Sequence, residues 1–448
     1  MKNDDNEFSV GIVGLGYVGL TLATMLADVG VKVLGIEKRK DVVDELNNCH
    51  PHFIENGLDV LLTKAIKSGN LQCVSEFDSA MTCGIYIITV GTPLDPTGVA
   101  RLDMIENATQ EVADNMREDS LIIVRSTVKI GTTRSVVSPI LEASGKNFSI
   151  AMCPERTLEG NALRELRSIP QILGADNNNT LDRAEALFRN LTQTTIRVSS
   201  LEAAEVVKLV DNTFRDVQFA FANEVARACE AFGVNSHEVI SAGKLGYNRT
   251  NVALPGLVGG PCLEKDPHIF QQSVNTKTGI NLEITQAARR VNERQPLETM
   301  RFIIGQMKKR GLDLKSKVVF LGIAFKGSPE TDDLRGAMSL VVISRFRELA
   351  PSCDLHIYDP VVSDDDLNNA IPNSTIHNNL DNAIRGASVV IITNNHSEFR
   401  DKPIDTFVYN LSADGFIYDY WNNFSAMGRQ SLGNHYYAVG NIGSNNES

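Results

Sequence analysis

Runs of Val, Ile and Leu closed by turn residues recur through the first third of the chain: FSVGIV (8–13), VKVLGIE (31–37), GIYIITV (84–90) and LIIVRST (121–127). Apolar at successive rather than alternate positions, they predict strands covered on both faces, as in a parallel sheet. Helical segments lie between them, such as YVGLTLATMLADV, closed by Gly30. Strands alternating with helices predict a doubly wound α/β domain. The texture changes near Ser199. From there Val206, Val210, Val217, Phe221 and Val225 recur at helical spacing, and the stretch ends at Gly233. Ser199 with Glu202 three residues on reads as a capping box, so one long helix is predicted over about 199–232. Helical sequence continues through 276–310, with Pro296 as a kink or boundary. Strand-like runs return in KVVFLGIAF from Lys317, LHIYDP (355–360), ASVVIIT (387–393) and FIYDYW (416–421). The pattern predicts an α/β protein with two doubly wound parallel-sheet domains joined by a long central helix and a helical connector. The boundaries it suggests are 1–198, 199–312 and 313–448, with a disordered polar tail, GNIGSNNES.

Composition narrows the function classes. Among 448 residues, 43 are Lys or Arg and 55 are Asp or Glu, a formal net charge of −12. That balance argues against non-specific nucleic-acid binding, which needs a basic footprint. No apolar run reaches the roughly 18–20 residues of a membrane span. The start, MKNDDNEFSV, lacks the apolar core of a secretory signal. The seven cysteines, Cys49, Cys73, Cys83, Cys153, Cys229, Cys262 and Cys353, show no CxxC pairing, which reads as reduced thiols in a soluble cytoplasmic chain. CHPHF (49–53) has no second ligand group at zinc-like spacing, so no metal is expected.

The first strand runs directly into Gly14-x-Gly16-x-x-Gly19, which opens a helix, and Glu37 ends the next strand. This is the Rossmann-like dinucleotide fingerprint. Glycines give a tight turn and let a pyrophosphate approach a helix N-terminus, and the acidic residue receives a ribose. A carboxylate there repels a 2′-phosphate and favours NAD over NADP, with Lys38 and Arg39 next to it working the other way. A second chemical feature is LPGLVGGPCLEKD (254–266). Glycines and prolines before Cys262 make a loop that a ligand can approach closely, and Lys265 suits a reactive thiolate.

These blocks, with VGTP (90–93), STVKIGTT (126–133), CPERTLEG (153–160), KLVDN (208–212) and FKGSPETDDLR (325–335), occur in one order. Over residues 8–425 the chain resembles the UDP-glucose/GDP-mannose dehydrogenase family, NAD-dependent nucleotide-sugar 6-dehydrogenases. The resemblance implies an N-terminal NAD-binding domain, a central dimerising domain with the cysteine loop, and a C-terminal UDP-sugar-binding domain. The implied reaction oxidises a primary alcohol to a uronic acid with two NAD, for surface polysaccharide precursors.

Residue by residue, the resemblance makes Cys262 the nucleophile that captures an aldehyde as a thiohemiacetal. Lys208 and Asn212, four apart and so on one helix face, stand beside the oxyanion. Glu159 is the acid/base, and Thr127 and Asp266 position the hydrolytic water. Tyr17, Val18, Thr92, Thr127, Lys265 and Arg335 join Gly14, Gly16, Gly19 and Glu37 at the cofactor. Glu155, Glu159, Lys208, Asn212, Arg249, Gly259 and Lys326 fall to the UDP-sugar. Taken without the resemblance, Lys208 and Asn212 read as a solvated helix face, and Glu155 and Glu159 as surface partners of Arg156 or Arg164. Pro261 and Arg156 depart from the commoner His, Ser or Tyr and from Phe. The PER form, and two extra residues before TDD, resemble branches acting on UDP-N-acetylhexosamines, UDP-N-acetylmannosamine first, its glucosamine and galactosamine epimers next, and UDP-glucose as the alternative. A one-step NAD hydroxy-acid dehydrogenase would need neither Cys262 nor a C-terminal α/β domain, and a nucleotide sensor would have no use for Cys262, Lys208, Asn212 and Glu159.

Overall fold

The computed structural model describes residues 8–77, 81–313, 315–424 and 433–442; the end of the polar tail lies outside them. Two compact units are present, Met1–Asn212 with His268–Asn281, and Thr213–Pro267 with Leu282–Ser448.

In the first unit the strands are β1 (Val10–Val13), β2 (Val33–Ile36), β3 (Leu71–Val74), β4 (Ile85–Ile88), β5 (Ser120–Val124), β6 (Phe148–Met152), β7 (Gln171–Gly174) and β8 (Thr195–Val198). They form one sheet in the order β3-β2-β1-β4-β5-β6-β7-β8. Successive residues feed opposite cores. Leu121 and Ile123 pack on one face and Ile122 and Val124 on the other, all fully buried. This is why these strands read as unbroken apolar runs. The order reverses at β1 and β4, so the crevice beyond their carboxyl ends is the ligand position of a doubly wound sheet. One pairing departs from the parallel pattern: β6 and β7 meet antiparallel at Met152 and Gly174. The connection combines the CPERTLEG loop with a helix, Ala162–Ser168, of only seven residues, roughly 10 Å. The chain therefore stays at one end of the sheet and re-enters from there.

In the second unit β9 (Lys317–Leu321), β10 (Asp354–Tyr358), β11 (Thr375–Ile376), β12 (Ala387–Ile392), β13 (Leu411–Asp419) and β14 (Tyr436–Ala438) form a parallel sheet ordered β11-β10-β9-β12-β13-β14. Val318 and Phe320 pack on one face, Val319 and Leu321 on the other.

The long helix runs Leu201–Ala231, starting in the first unit and continuing in the second. Its cap differs from the expected box. Ser200, not Ser199, takes the Ala203 N–H at 3.1 Å, because the helix starts at Leu201 and so places Glu202 one position too early for the box; Glu202 instead binds Arg134 at 2.6 Å. The helical stretch around 276–310 is two helices, Asp266–Thr278 and Glu283–Lys309, broken at Gly279, whose φ is +70°. Pro296 lies buried inside the second helix and does not end it. Among the described residues no helix is long and apolar enough to cross a membrane. No group of three His, Cys, Asp or Glu side chains there is placed to hold a metal.

Candidate functional site

The glycine turn of the first unit links β1 to the helix Tyr17–Asp28. Gly14 has φ +90°, which a side chain would strain. A Cβ on Gly19 would overlap the Gly14 carbonyl, so only glycine lets helix and turn pack. Gly16 is different: a Cβ there meets no protein atom within 4 Å. It is the helix N-cap and supplies no side-chain acceptor, so the N–H groups of the first turn are not capped by it. A bare helix start beside an open glycine fits a dinucleotide pyrophosphate. Glu37 follows β2 and accepts the Leu15 N–H at 3.0 Å, fixing the carboxylate beside the turn where a ribose would lie. Lys38 pairs with Glu111 at 2.8 Å, whereas Arg39 donates its backbone N–H to Glu37 at 3.2 Å with its guanidinium 3.9 Å from the same carboxylate. Val18 sits in the first helical turn, within the same fingerprint.

The loops after β4 and β5 are tied together. Thr92 donates to the Thr127 carbonyl at 2.5 Å and Ser126 to the Val90 carbonyl at 2.6 Å. Just before them Arg125, 1% exposed, reaches Glu155 at 2.5 Å, Gln171 at 3.0 Å and the Cys153 carbonyl at 3.1 Å, and stacks on Phe188. The other Glu155 oxygen accepts the N–H groups of Arg156 at 2.6 Å and Thr157 at 2.7 Å. Burial alone would raise the Glu155 carboxyl, but Arg125, the Thr157 N–H and the charge of Lys208 outweigh it and hold it below its ordinary range. Glu155 thus shapes the CPERTLEG loop from inside. Arg156 docks that loop on the long helix through Asp211 at 3.2 Å, and on the chain just before β7 through the Pro170 carbonyl at 2.7 Å. Asp211 lies between Lys208 and Asn212, both buried rather than solvated. Glu159 is half-buried at the loop's far end.

In the second unit Cys262 lies on the one-turn helix Gly260–Leu263 and is half-buried. The loop before it presses against the segment 325–336. Gly260 donates to the Gly336 carbonyl at 2.8 Å. A Cβ on Gly260 would overlap the Phe325 ring, and one on Gly259 would overlap the Gly336 carbonyl. Lys326 is buried, its ammonium 5.2 Å from the Phe325 ring centre. Behind the cysteine, Arg289 binds the Leu263 carbonyl at 3.0 Å and Asp216 at 2.7 Å, and Asn223 holds both the N–H and the carbonyl of Gly256. Lys265 pairs with the fully buried Asp266 at 2.6 Å, so its nearest charged partner is a carboxylate. Of the other thiols, burial pushes Cys73 and Cys153 up to about 12 and Cys353 to about 11, where they stay protonated.

The structure therefore groups Gly14, Gly16, Tyr17, Val18, Gly19, Glu37, Thr92, Thr127, Glu155, Glu159, Lys208 and Asn212 in the first unit. Gly259, Cys262, Lys265, Asp266, Lys326 and Arg335 fall together in the second, with Arg335 exposed and paired to Asp333 at 2.6 Å. Arg249 lies in an exposed stretch, stacked on Tyr247 at 4.8 Å. Sequence reasoning missed Arg125, Asp216, Asn223 and Arg289. Arg125 had one visible signal, a charge at the end of the apolar run LIIVRST.

The three family models for the UDP-glucose/GDP-mannose dehydrogenase family match residues 8–192 (NAD binding domain), 202–294 (central domain) and 319–426 (UDP binding domain). Among similar curated proteins is a UDP-N-acetyl-D-mannosamine dehydrogenase of Pyrococcus horikoshii, 31% identical over 401 residues, covering 87% of this chain and 90% of that protein. The protein of the same name in Methanococcus aeolicus is 33% identical over 406 residues, covering 89% and 87%. The solved structure of the Pyrococcus horikoshii UDP-D-ManNAc dehydrogenase superposes with a TM-score of 0.87 at 28% identity, covering 97% of this chain and all of that one.

Proposed function

Because the chain belongs to the UDP-glucose/GDP-mannose dehydrogenase family, and is thereby an NAD-dependent nucleotide-sugar dehydrogenase, we propose that it oxidises UDP-N-acetyl-D-mannosamine at the sixth carbon to the uronic acid. The observation that carries the reading is Cys262 on its one-turn helix, held flush against the segment bearing Lys326. The PER form of CPERTLEG, with Arg156 clamping Asp211, and the names of the similar proteins support the N-acetylmannosamine branch.

NAD, when bound, accepts a hydride from the substrate carbon, and the glycine turn with Glu37 holds it. The chain's own residues do the rest. Glu159 takes the hydroxyl proton of the alcohol, and Lys208 and Asn212 stabilise the negative oxygen with a charge and a hydrogen bond. The Cys262 sulfur adds to the aldehyde carbon, giving a tetrahedral thiohemiacetal that cannot diffuse away. Its oxidation leaves a thioester, and a water placed by Thr127 and Asp266 cleaves it, returning the thiolate. One alcohol and one water thus yield one carboxylate, with two NAD reduced. Glu155 we assign to holding the loop that carries Glu159.

We divide the chain at 1–198, 199–312 and 313–448 and read it as a cytoplasmic homodimer, making surface polysaccharide precursors. Val210, Phe214 and Phe221, exposed by 43%, 60% and 54% along one stripe of the long helix, supply the apolar surface for a second copy. Light scattering at micromolar concentration tests this: a dimer is expected, a monomer contradicts it. A panel of UDP-sugars assayed by NADH formation tests the substrate. Fastest turnover with UDP-N-acetylmannosamine is expected, and a preference for UDP-glucose overturns it.

A further inference from the structure

The segment HPHFIENG (50–57) carries none of the chemistry proposed above, yet its Glu55 touches two features on which that chemistry depends. Glu55 is 6% exposed. Its Oε2 accepts the hydroxyl of Tyr17, the first residue of the helix that the glycine turn opens, and the Gly160 N–H at 2.6 Å. Its Oε1 accepts the Ala162 N–H at 2.9 Å. The Gly160 N–H also reaches the Tyr17 oxygen, at 2.8 Å. Gly160 directly follows Glu159 and has φ +82°, a turn that a side chain would strain. The Tyr17 ring rests on Phe53, with centres 4.9 Å apart. Burial, the hydrogen bond to Glu55 and the charges of Glu55 and Glu159 push the Tyr17 phenol well above its usual range, so it remains a donor.

We propose that Glu55 is a positioning residue, a buried latch that ties the start of the dinucleotide-turn helix, through Tyr17, to the backbone immediately after Glu159. The proposal rests on the acid/base role assigned to Glu159. The geometry asks for a carboxylate at this place. Two backbone N–H groups and a phenol converge on two oxygens, and an amide would present an NH₂ to one of these donors. With the NH₂ in place of Oε1 the Ala162 N–H would lose its partner, and in place of Oε2 the Gly160 N–H would keep only the Tyr17 oxygen, so the turn would shift. No contact between Glu55 and substrate is needed, because its effect passes through the placement of Glu159. One group thereby sets the cofactor side and the proton-transfer side of the first unit together.

The test is a set of single and double variants assayed for kcat and KM by NADH formation, with thermal unfolding to establish that each is folded. E55Q is expected to lower kcat roughly tenfold or more, as a displaced catalytic group does, with KM for the nucleotide sugar unchanged. Y17F, which leaves both backbone bonds to Glu55 intact, is expected to lower kcat less and serves if E55Q does not fold. In an E159Q background neither change should lower kcat further. Full multiplication of either loss in that background overturns the latch while leaving the Glu159 role standing, as do wild-type kcat values in both single variants. Wild-type turnover by E159Q alone overturns the Glu159 role and the latch with it, and that result is read without any change at Glu55 or Tyr17.

Discussion

Replacing Glu155 with leucine removes one half of an ion pair that has almost no access to water. Arg125 is 1% exposed and Glu155 7%, and their closest atoms are 2.5 Å apart. Removing one partner of such a pair leaves the other charge buried and uncompensated, at a cost of about 3–5 kcal/mol. The Arg156 and Thr157 N–H groups lose their acceptor in the same step, which places the effect toward the upper end. For a unit of roughly 150–250 residues each kcal/mol corresponds to about 2–4 °C, so the predicted fall in Tm is roughly 6–20 °C. The pH dependence has a definite sign. The native Glu155 carboxyl is held below its ordinary range, so its contribution is complete above the unfolded value of about 4.3. It is lost as pH falls through the lower native value. Calorimetric scans of the wild type and Glu155→Leu should therefore show the full gap at neutral pH and a narrowing gap in acid. The Arg125→Met, Glu155→Leu double variant should recover part of the loss, because no charge remains buried alone. A single variant melting within about 2 °C of wild type at neutral pH would refute the reasoning, as would a gap that does not narrow in acid.

Two further outcomes follow from the glycine turn and the cysteine loop. Gly16→Ala should fold and melt like wild type, since its Cβ meets no protein atom, yet lose NAD affinity by about tenfold or more because it occupies the pyrophosphate's approach; calorimetric titration of NAD measures this, and unchanged affinity contradicts the placement. Gly19→Ala, whose Cβ would overlap the Gly14 carbonyl, should instead lower Tm. Cys262→Ala should bind NAD normally and make no uronate, as followed by NADH formation and product chromatography; undiminished uronate would remove Cys262 from the nucleophile role.

What the sequence could disclose depended on how local each signal was. The Gly14–Gly19 turn and Glu37 were legible because strand, turn, helix and acidic residue follow one another within a single unit of chain. The strands were legible because both faces of each sheet are covered, leaving runs such as LIIV and KVVFL without polar interruption. The cap of the long helix was misplaced by one residue, since two adjacent serines both read as caps and the Arg134 partner that shows Glu202 outside the box lies 68 positions earlier. The antiparallel return of β7 depends on how much chain the CPERTLEG loop takes up, which periodicity does not report. Glu55 gave no signal, because the backbone N–H groups it serves lie more than a hundred residues on and any residue type supplies an N–H. Lys208 and Asn212 looked like a solvated face, yet both are buried, with the Lys208 charge acting on the buried Glu155, a residue more than fifty positions earlier that helical spacing does not report.

The central claim is a four-electron oxidation that passes through a covalent adduct on Cys262. Counting NADH formed per UDP-sugar consumed, by absorbance against chromatographic loss of substrate, tests it in one experiment. Two NADH per sugar, with the uronate as product, is the predicted result; one NADH, with an aldehyde or ketone released, would contradict it.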